Sequence, residues 1–174
     1  CTYQWQSSTN QSTWSNINGA TSNTFTPPTT TLGILYYRLL YFCDGVNCLL
    51  STSDIATITI TNSATVSVNP LSSTICQNGT LILTATTSGG TGTCGLQWQS
   101  SINSSTWTNI SGQTTSTYTV PTTTLGQMFY RVYYSCSGGD NATSSSVPVT
   151  VVAQPQVVIA TSPADVCVNE TVTL

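Results

Sequence analysis

Short runs of alternating apolar and polar residues fill this chain, and Gly, Pro, Asn and Ser interrupt them every few positions. Alternation with a period of two puts successive side chains on opposite faces of a strand. The pattern therefore predicts half-buried β-strands and almost no helix. In the clearest stretch, strands are predicted at 64–68 (ATVSV, stopped by Pro70), 79–87 (GTLILTATT) and 96–101 (LQWQSS). Four more are predicted at 105–110 (STWTNI), 116–121 (STYTVP), 128–136 (MFYRVYYSC) and 146–153 (SVPVTVVA). Seven short strands with turn signals between them read as a β-sandwich of immunoglobulin-like type.

The pattern repeats. QWQSSTNQSTWSNI at 4–17 returns as QWQSSINSSTWTNI at 97–110, a shift of 93 positions that also carries Cys1 onto Cys94, Phe25 onto Tyr118 and Cys43 onto Cys136. ATVSVNPLSSTICQNGTLIL at 64–83 matches PQVVIATSPADVCVNETVTL at 155–174 with a shift of 91. A repeat of roughly 90 residues fits one small sandwich per unit. The expected organisation is all-β: tandem sandwiches out of phase with the chain ends. Residues 1–64 form a unit lacking its first two strands, 65–153 a complete unit, and 154–174 the first two strands of a following unit, a donor segment.

Composition narrows the function. Charged residues are 4% of the 174, against about 25% in an ordinary soluble domain. The only cations are Arg38 and Arg131, and there is no His. Two repeat-equivalent arginines cannot neutralise a phosphate backbone, so nucleic acid is excluded as a partner. No apolar run approaches the ~18 residues of a spanning helix, so no membrane insertion is expected. No leader-like stretch opens the sequence, and a mature or excerpted chain is expected. Seven cysteines point to an oxidising, extracellular or cell-surface location. Cys1 reads as the repeat partner of Cys94 rather than as a lipidated first residue.

Trp5 and Trp98 fall midway along the third strand, where this sandwich keeps its core tryptophan. Trp14 and Trp107 lie on the following strand, either packed or open as a glycan-stacking platform. Arg38 and Arg131 sit among apolar neighbours in the sixth strand, where a guanidinium commonly lies over an aromatic face. The third strand begins and the sixth ends at the same end of the fold. Cys1–Cys43 and Cys94–Cys136 are thus expected cross-strand bridges, each contributing roughly 3–4 kcal/mol in the chain-entropy model. Cys48 of one chain with Cys167 of another is the remaining candidate, which leaves Cys76 without a mate.

The segments CTYQWQSSTNQSTWSNI, ATSNTFTPPTTTLG and YYRLLYFC, with ICQNGTLILTAT ahead of the second copy, carry a resemblance. The chain resembles the tandem Ig-like repeats of large secreted and surface adhesins of Bacteroidota. That resemblance covers nearly all of it and implies stalks, spacers or fibre subunits. Asn141, where the 93 shift puts the partner of Cys48, departs from the pattern.

Catalysis lacks its parts: no His or Lys is present to act as a base, so the chain is not expected to be an enzyme. Neither a cofactor nor a metal is expected. Loop oxygens at Asp44/Asn47 or Asp140/Asn141 supply one carboxylate each, too few for a calcium site. Asn-x-Ser/Thr triplets at Asn10, Asn78, Asn103, Asn109, Asn141 and Asn169 are glycosylation candidates. Glycan would shield sheet edges that no lysine guards; otherwise those edges pair with another chain.

The function expected is an extracellular fibre subunit, a head-to-tail homopolymer in which 154–174 completes 1–64 of a neighbour. A spacer in a long covalent array and a carbohydrate-binding module, with polysaccharide as partner, are the alternatives.

Overall fold

The structure is a computed structural model that describes residues 1–43, 50–158 and 168. It is all-β. The chain forms two compact units. One comprises Cys1–Val66, Thr87–Gly95 and Tyr134–Thr143; the other comprises Ser67–Thr86, Leu96–Tyr133 and Ser144–Leu174. These boundaries cut across the sequence repeat: Thr87–Gly95 and Tyr134–Thr143 of the second repeat belong to the first unit. No helix among the described residues is long and apolar enough to cross a membrane.

In the first unit a single sheet is built from β1 (Thr2–Ser8), β2 (Ser15–Asn16), β3 (Gly33–Phe42), β4 (Ser51–Thr52) and β5 (Ala56–Ile60). The order is β2-β1-β3-β4, and β5 also pairs with β3. All of these pairings are antiparallel. The unit also holds the chain segment that follows β5. Gly90 N–H donates to the Asn62 carbonyl (2.9 Å), and Ala64 N–H donates to a carboxylate oxygen of Asp140 (2.6 Å). Gly90 has φ +91 and lies against the Cys94–Cys136 disulfide, where a Cβ would crowd Cys136 Sγ. That is the physical demand behind the Gly-Gly of this loop.

The remaining strands are β6 (Thr65–Asn69), β7 (Ser73–Cys76), β8 (Leu81–Ser88), β9 (Cys94–Ser101), β10 (Thr108–Asn109), β11 (Thr117–Val120), β12 (Gly126–Cys136), β13 (Asn141–Thr143) and β14 (Val147–Val152). They make two sheets, β10-β9-β12-β14-β7 with β13 on β12, and β11-β8-β6. The two inner faces share a core of Val68, Leu83, Trp98, Val120, Val132, Val147 and Val149, all buried. This is an immunoglobulin-like sandwich.

β7, absent from the sequence expectation, pairs in parallel with β14. Pro70 ends β6 because it has no N–H to give the ladder, and the chain crosses to the other sheet as β7. The predicted strand at 105–110 shrinks to the two residues of β10. Asn103 Oδ1 accepts the Ser105 and Thr106 N–H groups (3.0 and 2.9 Å), and Ser104 adopts φ 57. A side-chain-held turn thus consumes the first half of that strand.

Candidate functional site

The two repeats build the same aromatic stack and cover it differently. Trp98 stacks on Tyr118 (5.5 Å between centroids), and Tyr118 on Tyr130 (5.6 Å). Their counterparts Trp5, Phe25 and Tyr37 stack at 5.9 and 5.7 Å. Each Trp is held by the loop that follows its neighbouring two-residue strand. Trp98 Nε1 donates to Thr115 O (2.9 Å), and Trp5 Nε1 donates to Ser22 O (3.0 Å). In the familiar immunoglobulin core a disulfide joins the two sheets beside this Trp. Here Cys94–Cys136 and Cys1–Cys43 instead link neighbouring strands of one sheet, and the aromatic stack holds the centre.

Coverage is where the repeats part. Trp98 and Val132 are 0% exposed, and Val147, Val149 and Val151 are buried. Their repeat equivalents Trp5, Leu39, Ile58 and Ile60 are only half-buried, and Ala56 is exposed. In the complete sandwich the inner face is closed by Val68 of β6 and by Leu83 and Ala85 of β8. No strand among the described residues does this for β1, β3 and β5. The segment equivalent to β11, residues 24–27, is not a strand, and no β8-like strand pairs with it among the described residues.

Burial also sets the titration of the closed stack. It pushes Tyr118 above the ordinary tyrosine value, and it pushes Tyr130 up to about 12 with the Tyr118 charge as a second cause. A recess of about 420 Å³ opens beside these rings, lined by Tyr118, Val120, Leu125, Met128, Tyr130 and Val149 among others. It holds no constellation of polar groups that could carry out chemistry.

On the opposite sheet face each repeat carries a ladder. The Arg131 guanidinium lies 4.2 Å over the Trp107 ring, and Arg38 lies 4.2 Å over Trp14. Arg131 Nε donates to Gln99 Oε1 (2.7 Å), and Gln99 Nε2 donates to Asn109 Oδ1 (2.8 Å). Arg38, Gln6 and Asn16 repeat this at 2.8 and 2.8 Å. Burial lowers the Arg131 pKa from its ordinary value. A Trp face occupied by a guanidinium is closed to a stacked sugar ring. Gln6, Gln99 and Asn16 were missed from the sequence, although their recurrence at the 93 shift was a signal for them.

Three of the glycosylation candidates also hold local structure. Oδ1 of Asn10 and of Asn103 each accepts two backbone N–H groups of its own turn. Asn141 Oδ1 accepts the Cys136 N–H (3.1 Å), and Asn78 is exposed with φ 65. The Asp140 carboxylate is taken by Ala64. No cluster of three metal-ligating side chains occurs among the described residues. Cys76 is exposed and, among the described residues, unpaired. Asp44, Asn47, Cys48, Cys167, Asn169 and most of the 154–174 segment lie outside the described residues.

Fold and site together define an immunoglobulin-like tandem-repeat chain without a catalytic constellation among its described residues. It belongs to the family described as domain of unknown function DUF8696, which matches residues 1–70 and again 63–153. No curated protein matches it. Among solved structures it is similar to the N-terminal four Ig domains of Dscam1 isoform 4.44, at 10% identity and TM-score 0.43, over 86% of this chain and 37% of that one. It is also similar to the N-terminal eight Ig domains of Down Syndrome Cell Adhesion Molecule, at 11% identity and TM-score 0.44, over 87% of this chain and 22% of that one. The chain thus spans well under half the length of either.

Proposed function

We propose that this chain is a non-enzymatic, adhesion-type structural segment of an extracellular array whose sandwiches are completed head to tail. The open sheet of 1–64 receives two strands of the 64–83 sequence type, and the chain's own copy of that sequence is 154–174. One observation carries this reading: Trp5 and Phe25 are half-buried beside a buried Tyr37, whereas Trp98, Tyr118 and Tyr130 of the other repeat are all buried. Leaving such a face in water forfeits roughly 25 cal/mol per Å² of apolar surface, so a partner sheet is favoured. Val157 and Val158, 93% and 82% exposed, are an apolar pair in search of the same kind of contact. Two disulfides fit an oxidising location outside the cell.

The tandem family match at 1–70 and 63–153 favours a second reading, in which the array is one covalent chain and a preceding repeat supplies the strands. Size separates the two. Under strand exchange the purified chain sediments as a polymer series, yet gives one band near 18.4 kDa in denaturing, reducing electrophoresis. A chain that stays monomeric at all concentrations removes strand exchange. Native material that remains a single very long chain under reduction supports the covalent array.

A further inference from the structure

The recess beside the closed aromatic stack holds two polar groups that the protein itself leaves unserved. Tyr118 and Tyr130 are 8% and 4% exposed, so both are more than nine-tenths buried. Tyr134, buried to a similar degree, donates its hydroxyl to Gly89 O at 3.3 Å. Neither Tyr118 nor Tyr130 has such a partner among the described residues, and no fully enclosed side-chain oxygen or nitrogen among them is left unpaired. Both hydroxyls therefore reach open space, and the open space that these two residues line together is the recess of about 420 Å³. The Tyr118 charge acts on Tyr130, which places the two phenol groups within electrostatic reach of each other. With both pKa values raised, the pair stays protonated at neutral pH and can donate as well as accept.

The walls restrict what can enter. β11 contributes Val120 beside Tyr118, β12 contributes Met128 beside Tyr130, β14 contributes Val149, and Leu125 stands in the β11–β12 connection. No charged side chain lines the recess, so a charged guest would lose its hydration with nothing to replace it. A purely apolar guest would strand the two hydroxyls, because an unpaired donor in apolar surroundings costs free energy. Aromatic rings and a thioether favour a flat aromatic body, and about 420 Å³ lies within the usual range for a small-molecule site. We propose that this recess binds a small neutral aromatic molecule carrying one hydroxyl or carbonyl oxygen, its ring among Val120, Met128 and Val149 and its oxygen at the Tyr118 and Tyr130 hydroxyls. The first repeat has Phe25 where the second has Tyr118, so it lacks one half of the hydroxyl pair. The site lies within the second sandwich and does not depend on how sandwiches are joined.

Three probes of one size test this by amide NMR titration of the full chain: para-ethylphenol, ethylbenzene and benzoate. Para-ethylphenol should shift the amides of 118–130 saturably, ethylbenzene should bind more weakly, and benzoate should leave these amides unmoved. Tyr118→Phe should weaken para-ethylphenol by roughly three- to tenfold, the effect of one lost hydrogen bond, and leave ethylbenzene no weaker. The aromatic stack accepts Phe at this place, since Phe25 holds it in the first repeat, and near-UV circular dichroism confirms the packing. Leu125 is 51% exposed at the edge of the recess, so Leu125→Glu should fold and should weaken both neutral probes. The proposal is overturned by the absence of saturable para-ethylphenol binding, or by equal affinities for the chain and for folded Tyr118→Phe. Ethylbenzene bound as tightly as para-ethylphenol would also overturn it and mark the recess as a purely apolar contact for another protein chain. Benzoate bound as tightly as para-ethylphenol would overturn the requirement for a neutral guest.

Discussion

Trp98→Ala should cost the complete sandwich about 3–5 kcal/mol, the range for emptying a buried aromatic site. Trp98 is 0% exposed, stacks on Tyr118, and donates through Nε1 to Thr115 O. Its removal therefore leaves a cavity and an unpaired loop carbonyl. The equivalent Trp5→Ala should cost the unassembled chain only about 1–2 kcal/mol, because a half-buried ring loses less transfer energy and leaves less of a void. If the proposed closing strands bind, the cost of Trp5→Ala should rise toward that of Trp98→Ala. Guanidinium unfolding followed by far-UV circular dichroism, on unassembled and assembled material, reads both values. Equal costs for the two substitutions in the unassembled chain would mean that the first sandwich is already closed.

Losing the Cys94–Cys136 bridge should lower stability by roughly 3–4 kcal/mol in the chain-entropy model. The bridge closes a sequence separation of 42 residues. A domain of this size holds only about 5–15 kcal/mol in all. The effect matters more here because the bridge lies within one sheet. It ties β9 to β12 at the end where Gly90 packs on the sulfur, while the sheet-to-sheet contact depends on side chains alone. The double variant Cys94→Ala/Cys136→Ala, compared with the oxidised chain in denaturant, measures it. A midpoint unchanged by the double substitution would show that the aromatic stack holds the sandwich unaided.

Residues that act within one repeat were legible in the sequence. Trp98 at the middle of a strand predicts a core tryptophan, and alternation in MFYRVYYSC predicts Tyr130 and Val132 on one face with Arg131 on the other. The equal spacing of Cys1 to Cys43 and Cys94 to Cys136 gave both bridges, because strand direction alone brings those ends together. The guanidinium-over-indole contact was readable from chemistry, though its partner Trp was not.

What stayed hidden depends on distant partners. β7 exists because β14 offers an edge, and STIC alone has too few residues to announce a strand. β10 keeps only two of its six predicted residues, the first of them lost to the Asn103 turn, a side-chain competition that hydrophobic alternation does not register. The Asp140 bond to Ala64 spans 76 positions, and no local pattern signals it. The difference in coverage between Trp5 and Trp98 is equally silent, since the two copies of the motif are nearly identical.

Hydrogen exchange tests the central claim most directly, by following the amides of 24–27 and 171–174 in dilute and in assembled samples. If donated strands close the first sandwich, both segments exchange fast in the dilute chain. They then gain protection together on assembly, approaching that of the paired strands Thr117–Val120 and Leu81–Ser88. Assembly that leaves 24–27 as fast as before would contradict strand completion, and the chain would then associate through some other surface.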